Sequence, residues 1–230
     1  QKKCLGKMEK SADEGRTVLF VSHSLPMISS LCSKCILLDK GKILLDGKTS
    51  DVITHYQKGT STNPSRFDFQ SDGRLCGDEY VALTEAWLSD KSNQNKIEFE
   101  IREEFYVFVG FKVFKSLQRT PMPNLQVLDN IGNCVFSTSL LKAKHSPIKP
   151  GQYIARCTIP ANLLNNGFFS IHVAINHFEK GLTTAFWEKH ALHFNMIENF
   201  EENNYRNLLG WGGDLPGVVR PNLDWTIEKR

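Results

Sequence analysis

No apolar run in the 230-residue chain approaches the roughly 20 residues that a helix needs to span a bilayer, and no secretory signal opens it. Any membrane connection is therefore expected to come through a partner. Basic tracts are missing as well. Residues 1–57 carry nine Lys/Arg and six Asp/Glu, and residues 58–230 carry nineteen of each. A second part without net charge is a poor grip for a polyanion, so nucleic acid is not an expected partner. The six cysteines, at positions 4, 32, 35, 76, 134 and 157, include one close pair, Cys32 and Cys35. No second Cys or His pair completes a zinc set, so the reading is reduced thiols and no metal. The chain begins with Gln1 and is read as a piece of something longer. Its hydrophobic fraction of 40% supports a packed core and argues against disorder.

One phosphate-binding motif is nearly present. In "GKILLDGKT" (41–49) the two glycines are separated by five residues, where a P-loop requires four. The spacing matters because consecutive backbone N–H groups must curl around the phosphates at a helix N-terminus. The surrounding "CILLDKGKILLDG" instead sets two apolar runs about Asp39-Lys40-Gly41, which predicts a β-hairpin. Thr49 or Ser50 then caps a short helix carrying Val52, Ile53 and Tyr56.

Three regions follow from the pattern. Residues 1–57 alternate helix and strand. A first helix carries Cys4, Leu5, Met8 and Ala12, "TVLFVSH" (17–23) reads as a buried parallel strand, and a helix capped by Ser24 follows. These fifty-odd residues expose too much apolar strand to be stable alone. Residues 58–75, rich in Ser, Thr, Gly and Asn, read as a linker. Residues 76–230 read as all-β, with strands at 79–88, 97–101, 105–114, 124–129, 133–138, 152–159, 168–177, 183–187 and 191–197. That spacing predicts a sandwich or barrel, with one helical turn allowed in "IPANLLNNG" (159–167). The Gly- and Pro-rich ending (207–225) is expected to pack on the sandwich or on a second copy, with Trp211 and Trp225 as packing or dimer residues.

"RTVLFVSHS", the helix after it and "CILLDKGKILLDGKTSDVITHY" together resemble the end of an ABC-transporter ATP-binding domain. The opening "QKKCLGKM" and the ending "GDLPGVVRPNLDW" resemble the Wzt-like subunits that export O-antigen and related polysaccharides. The resemblance implies a truncated α/β fragment of an ABC ATPase followed by an immunoglobulin-like antiparallel β-sandwich, mainly β in all. It places the switch histidine, which reaches the γ-phosphate, at His23. An imidazole at the carboxyl end of a buried strand can donate a hydrogen bond to developing phosphoryl charge. No Walker A, Walker B, Q-loop or LSGGQ signature occurs in these residues. The expectation is thus no ATP hydrolysis and no cofactor in this piece, with ATP and Mg²⁺ belonging to a full-length ATPase. The resemblance further implies a bacterial surface polysaccharide as ligand, a membrane-spanning exporter subunit as partner and a homodimer. The location it implies is cytoplasmic and peripheral on the inner membrane.

A glycan site needs an aromatic ring for the apolar C–H face of a pyranose and polar side chains for hydroxyls. In "FYVFVGFKVF" (105–114) alternation puts Phe105, Val107, Val109 and Phe111 in the core, and sets Tyr106 and Phe108 beside Gly110 as an aromatic shelf with a gap. In "FSIHVAINH" (169–177) Ile171, Val173 and Ile175 face inward, leaving His172 and Asn176 on an open polar face with room beside Ala174. Trp87 is a third aromatic candidate, on a strand whose two faces are both mixed. The bland counterpart for each is packing under a loop or another subunit. No pair of carboxylates can be placed for glycosidase chemistry. The alternative function is a dimerisation or docking domain with no sugar site.

Overall fold

The computed structural model describes residues 17–21, 28, 31–39, 41–59, 65–71, 73–140, 146–179, 181–198, 216–221 and 226–227. His23, Trp211 and Trp225 lie outside the described residues. The chain divides into two compact units, one comprising Gln1–Tyr56 with Asn130–Asn133, the other Gln57–Asp129 with Cys134–Arg230.

In the first unit the apolar runs about residue 40 form the predicted hairpin. Strand β1 (Lys34–Asp39) pairs antiparallel with β2 (Lys42–Lys48), and Gly41 turns at φ +77°. Left-handed backbone costs glycine nothing, which suits it to this position. The near-miss phosphate loop is therefore a β-strand, and its extended amides are spent on the ladder. Helix α1 (Thr49–Gly59) follows directly, burying Val52 and Ile53 while Tyr56 stays exposed. The Thr49 hydroxyl donates to the Cys32 carbonyl at 2.6 Å and ties the helix start to the approach of the hairpin. Residues 17–21 depart from the expectation of a buried strand. They carry no ladder, and Leu19 and Val21 are exposed. A parallel strand forms only against neighbours, and none flanks this segment among the described residues.

In the second unit strict alternation does most of the work. The four-stranded sheet has the order β3 (Arg66–Asp68), β4 (Val81–Ser89), β6 (Phe105–Val113), β9 (Gly151–Ile159). The five-stranded sheet has the order β5 (Glu98–Glu100), β11 (Thr183–Ile197), β10 (Gly167–His177), β7 (Met122–Leu128), β8 (Cys134–Ser139). Every pair is antiparallel except β5 with β11. The fold is an antiparallel β-sandwich. Strand β3 lies within the stretch read as linker, because Phe67 packs against the core and the backbone of 66–68 pairs with Glu85–Trp87. The two strands expected at 183–187 and 191–197 are one long strand, β11, with a bulge between. "IPANLLNNG" makes a turn at Asn162 (φ +59°) and no helix.

Aromatic rings fasten the sheets together. Phe105 from the four-stranded sheet stacks on Phe99 at 4.1 Å between centroids and meets Phe194 at 5.1 Å. Phe194 in turn stacks on Phe169 at 5.3 Å. A polar tie supplements them. The His177 ring, almost fully buried, contacts Asp78 Oδ2 through Nε2 at 2.7 Å and accepts the Glu179 amide at Nδ1. Burial opposes ionisation of Asp78, but the Tyr80 and Val81 amides and His177 outweigh it and hold the carboxyl below its usual range. The segment 216–221 packs on the sandwich itself: Val219 bridges Leu164, Asn165 Nδ2 donates to the Gly217 carbonyl at 2.8 Å, and Arg220 pairs with Glu198 at 2.9 Å.

Phe105→Ala should cost about 3–5 kcal/mol, the range for emptying a ring-sized core site. Urea denaturation followed by tryptophan fluorescence checks this, and a loss below about 1 kcal/mol would mean the rings are not the main tie between the sheets.

Candidate functional site

Because Phe105, Val107 and Val109 are inward, Tyr106 and Phe108 stand on the outer face of the four-stranded sheet, and the ladder sets Trp87 directly opposite Phe108. The three aromatics singled out from the sequence therefore do meet. They meet one another, however, and not open space. Trp87 and Phe108 stack at 4.9 Å with 7° between their planes, and Tyr106 lies edge-on to Phe108 at 6.2 Å. On the β3 side, the Arg66 guanidinium lies 5.5 Å from the Trp87 ring and is itself paired with Glu85. With β3 and β6 flanking β4, both faces of the indole are occupied. Arg156 lies 5.0 Å over Tyr106, whose hydroxyl donates to Glu104 at 3.0 Å. That bond to a carboxylate raises the phenol above its ordinary value. The gap expected at Gly110 is also filled. A bulge in β4 between Leu83 and Glu85 pushes Thr84 Oγ1 to 2.7 Å from where a Cβ would stand, with Glu85 Cγ at 3.0 Å.

His172 and Asn176 belong to the other sheet, on the outer face of β10. The two sets of sequence candidates thus stand on different sheets of the sandwich. Around Ala174 the registers place Trp187 on one side and Asn124 on the other, with Ser139 beyond Asn124. The next row contains His172, Gln126 and Ser137. Trp187 was not legible as a candidate, since "TTAFWEKH" has no clean alternation. Its indole is 48% exposed, making it one of the more exposed large apolar side chains of the sandwich.

The polar face is less open than alternation suggested. His172 is only 7% exposed, its ring lying edge-on to Trp187 at 5.9 Å and to His190 at 4.6 Å. A bulge in β11 opposite Ile171–Val173 brings His190 over it. His190 takes φ +52°, a left-handed conformation that His adopts more readily than most side chains, and its Nδ1 lies 3.0 Å from the hydroxyl of buried Ser170. His193, 1% exposed, stacks on Phe168 at 5.7 Å. No described residue hydrogen-bonds either ring nitrogen of His172 or of His193, nor Asn176 Oδ1. Burial, helped by His190 and Lys189, holds His172 down to about 4, and burial with His190 does the same to His193. Both imidazoles are neutral at physiological pH. No group of His, Cys, Asp and Glu among the described residues is arranged to hold a metal ion.

These two faces, one packed on itself and one polar with an open indole, are carried on a known architecture. A solved structure described as the C-terminal domain of Wzt superposes with a TM-score of 0.53, covering 69% of this chain and 90% of that one at 8% identity. This chain shares the Wzt C-terminal fold. Its sequence is also similar to ATP-binding proteins of ABC transporters. The transporter protein AbcA of Aeromonas salmonicida is 32% identical over 87 residues, 36% of this chain and 28% of AbcA. The teichoic acids export ATP-binding protein TagH of Levilactobacillus brevis is 28% identical over 116 residues, and that of Listeria innocua 35% over 104 residues. The matched segments cover 45% of this chain in both cases, but only 32% and 31% of the two TagH proteins. The chain thus spans about a third or less of these relatives. No protein-family model matches it.

The buried histidines fix the sign of a pH dependence. Each has a folded pKa depressed below its unfolded value of 6.5, so the stability it supports is present above pH 6.5 and is lost as pH falls towards about 4. Each depression amounts to about 1–3 kcal/mol at most. Between about pH 6.5 and 4.5, above the range of ordinary carboxylates, the denaturation free energy should fall in the wild type and fall less in His172→Phe/His193→Phe. Identical slopes in the two proteins would show that these rings are not buried as neutral groups.

Proposed function

We propose that the sandwich recognises a surface polysaccharide on behalf of an ABC exporter, and that it does so on the outer face of the five-stranded sheet. The observation that carries this reading is the half-exposed Trp187 side chain standing across Ala174 from Asn124, beside polar side chains that hydrogen-bond without charge and with the Lys189 ammonium 5.3 Å over its ring. A pyranose has one face of C–H groups and a rim of hydroxyls. An indole offers the apolar contact, the methyl of Ala174 leaves a shallow floor, and Asn124, Gln126, Ser137 and Ser139 offer carbonyl, amide and hydroxyl groups to the rim. His172 and Asn176 close the floor with polar atoms that no described residue satisfies, and a buried polar group left unpaired costs about 1–3 kcal/mol.

The outer face of the four-stranded sheet suits the role less well. Stacking a sugar on Trp87 requires displacing either Phe108 or the Arg66 guanidinium. Trp87, Phe108 and Tyr106 accordingly belong to packing between strands in this reading.

The whole protein is proposed to be the ATP-binding subunit of a polysaccharide exporter, peripheral on the cytoplasmic face of the membrane, paired with a membrane-spanning permease and working as a homodimer. Similarity to AbcA and TagH supports the transporter part of this, and the TagH name speaks of teichoic acids for those proteins alone. No helix among the described residues is long and apolar enough to cross a membrane, which is consistent with attachment through a permease. His23 would serve as switch histidine once the rest of an ATPase domain supplied the nucleotide.

Titration of the 230-residue chain with the polysaccharide of its own source strain tests the reading. Trp187→Ala should weaken binding about tenfold, the equivalent of about 1.4 kcal/mol of stacking. Trp87→Ala should leave it within about threefold while lowering stability by about 1–3 kcal/mol. Loss of binding in Trp87→Ala, with Trp187→Ala unaffected, would move the site to the other sheet. A folded wild-type chain that binds nothing would point to a dimerisation or docking domain.

A further inference from the structure

The charge of the polymer is written in the side chains that face it. We propose that the glycan recognised on the outer face of the five-stranded sheet is uncharged, built from sugars whose only polar groups are hydroxyls, ring oxygens and amides. This rests on the reading above and deepens it.

Around Ala174 the described side chains are Asn124, Gln126, Ser137, Ser139, His172, Asn176 and Trp187. None carries a charge near pH 7, since the buried imidazole of His172 stays neutral. A carboxylate or phosphate brought against these seven side chains loses hydration and finds none of them cationic. Unpaired burial of an ion is costly enough that anion sites in proteins supply guanidinium forks, ammonium groups or converging amides. The Lys189 ammonium lies 5.3 Å over the Trp187 ring and is engaged there with the indole. Acids are present as well. Strand β5 pairs with the far end of β11, and its buried Phe99 turns the exposed Glu98 and Glu100 outward on the same side as Asn195. A polyanion running along the sheet would meet both.

The guanidiniums of the aromatic cluster are kept on the other sheet. Arg66 and Arg156 stand on the outer face of the four-stranded sheet, against Trp87 and Tyr106. Arg74 is paired with Glu188 at 3.1 Å and lies over Phe186, a ring packed on the core. Hydrogen bonds between neutral groups then give the site its selectivity through the orientation of hydroxyls. Salt has little to screen in such a complex.

The test is a calorimetric titration of the 230-residue chain against neutral polymers (mannan, galactan and rhamnan) and acidic ones (polygalacturonate and poly(glycerol phosphate)). Each is run at about 0.05 M and about 0.5 M salt, since screening separates the two classes over that range. The expected result is binding confined to a neutral polymer, weakened about tenfold or more in Trp187→Ala and changed less than about twofold by salt. In Lys189→Gln that binding should stay within about threefold. Binding of an acidic polymer that is salt-sensitive and lost in Trp187→Ala would overturn the inference about charge while leaving the glycan site in place. Binding of an acidic polymer that ignores Trp187→Ala and is lost in Arg156→Ala would overturn the choice of face as well. Silence from every polymer and from the polysaccharide of the source strain, with a folded chain, would overturn the glycan reading itself.

Discussion

The structure depends first on the contact between two sheets through four phenylalanine rings. Phe105 projects from one sheet, and Phe99, Phe169 and Phe194 project from the other. Once those rings are inside, the period of two along each strand leaves no freedom: Tyr106 and Phe108 must face out on one side, and His172 and Asn176 on the other. A one-residue slip would carry Phe105 or Phe169 into solvent, forfeiting about 2–3 kcal/mol for each large side chain exposed. The same burial that makes the core thus assigns each functional candidate to a face. The Asp78–His177 tie and the docking of residues 216–221 on the 163–165 turn act on top of that arrangement.

The two outer faces solve different problems with similar residues. On the four-stranded sheet, aromatic and cationic side chains satisfy each other across neighbouring strands, in a row from Arg66 through Trp87 to Phe108. Cross-strand pairs of this kind stabilise a sheet by a few tenths to about 1 kcal/mol apiece, and they leave little for a ligand to gain. On the five-stranded sheet the bulge in β11 changes the outcome. By inserting His190 in a left-handed conformation it crowds three imidazoles and Ser170 under the surface, and Trp187 stays about half exposed beside Ala174. Strain and unpaired polar atoms collect at one place there, which is where proteins commonly hold residues for binding. That concentration, and not the number of aromatics, separates the two faces.

Much was legible in order of residues alone. The hairpin at 34–48 followed from two apolar runs about Asp39-Lys40-Gly41, and helix α1 from Thr49 with Val52 and Ile53 behind it, because turn chemistry and capping are local. Strands β4 to β10 followed from apolar runs at regular spacing between turn signals, and alternation within 105–114 and 169–177 gave the inward set Phe105, Val107, Val109, Ile171, Val173 and Ile175. Strand β3 was hidden, since three residues among Ser, Asn and Asp carry no period. Residues 17–21 misled in the opposite direction, because a β-branched apolar run implies neighbours that a sequence cannot supply.

By itself, then, the sequence determined which segments could be strands, which side of each was apolar, and that no phosphate-binding loop lies in these residues. Those properties are set within a few residues of one another. Only the tertiary structure decided what each outward side chain would meet. Strand order put Arg66 and Phe108 on either side of Trp87 and consumed its ring, the β4 bulge filled the space at Gly110, and the β11 bulge buried His172 while leaving Trp187 exposed. Such encounters lie between strands far apart in the chain, where register and bulges, and not local pattern, determine what touches what.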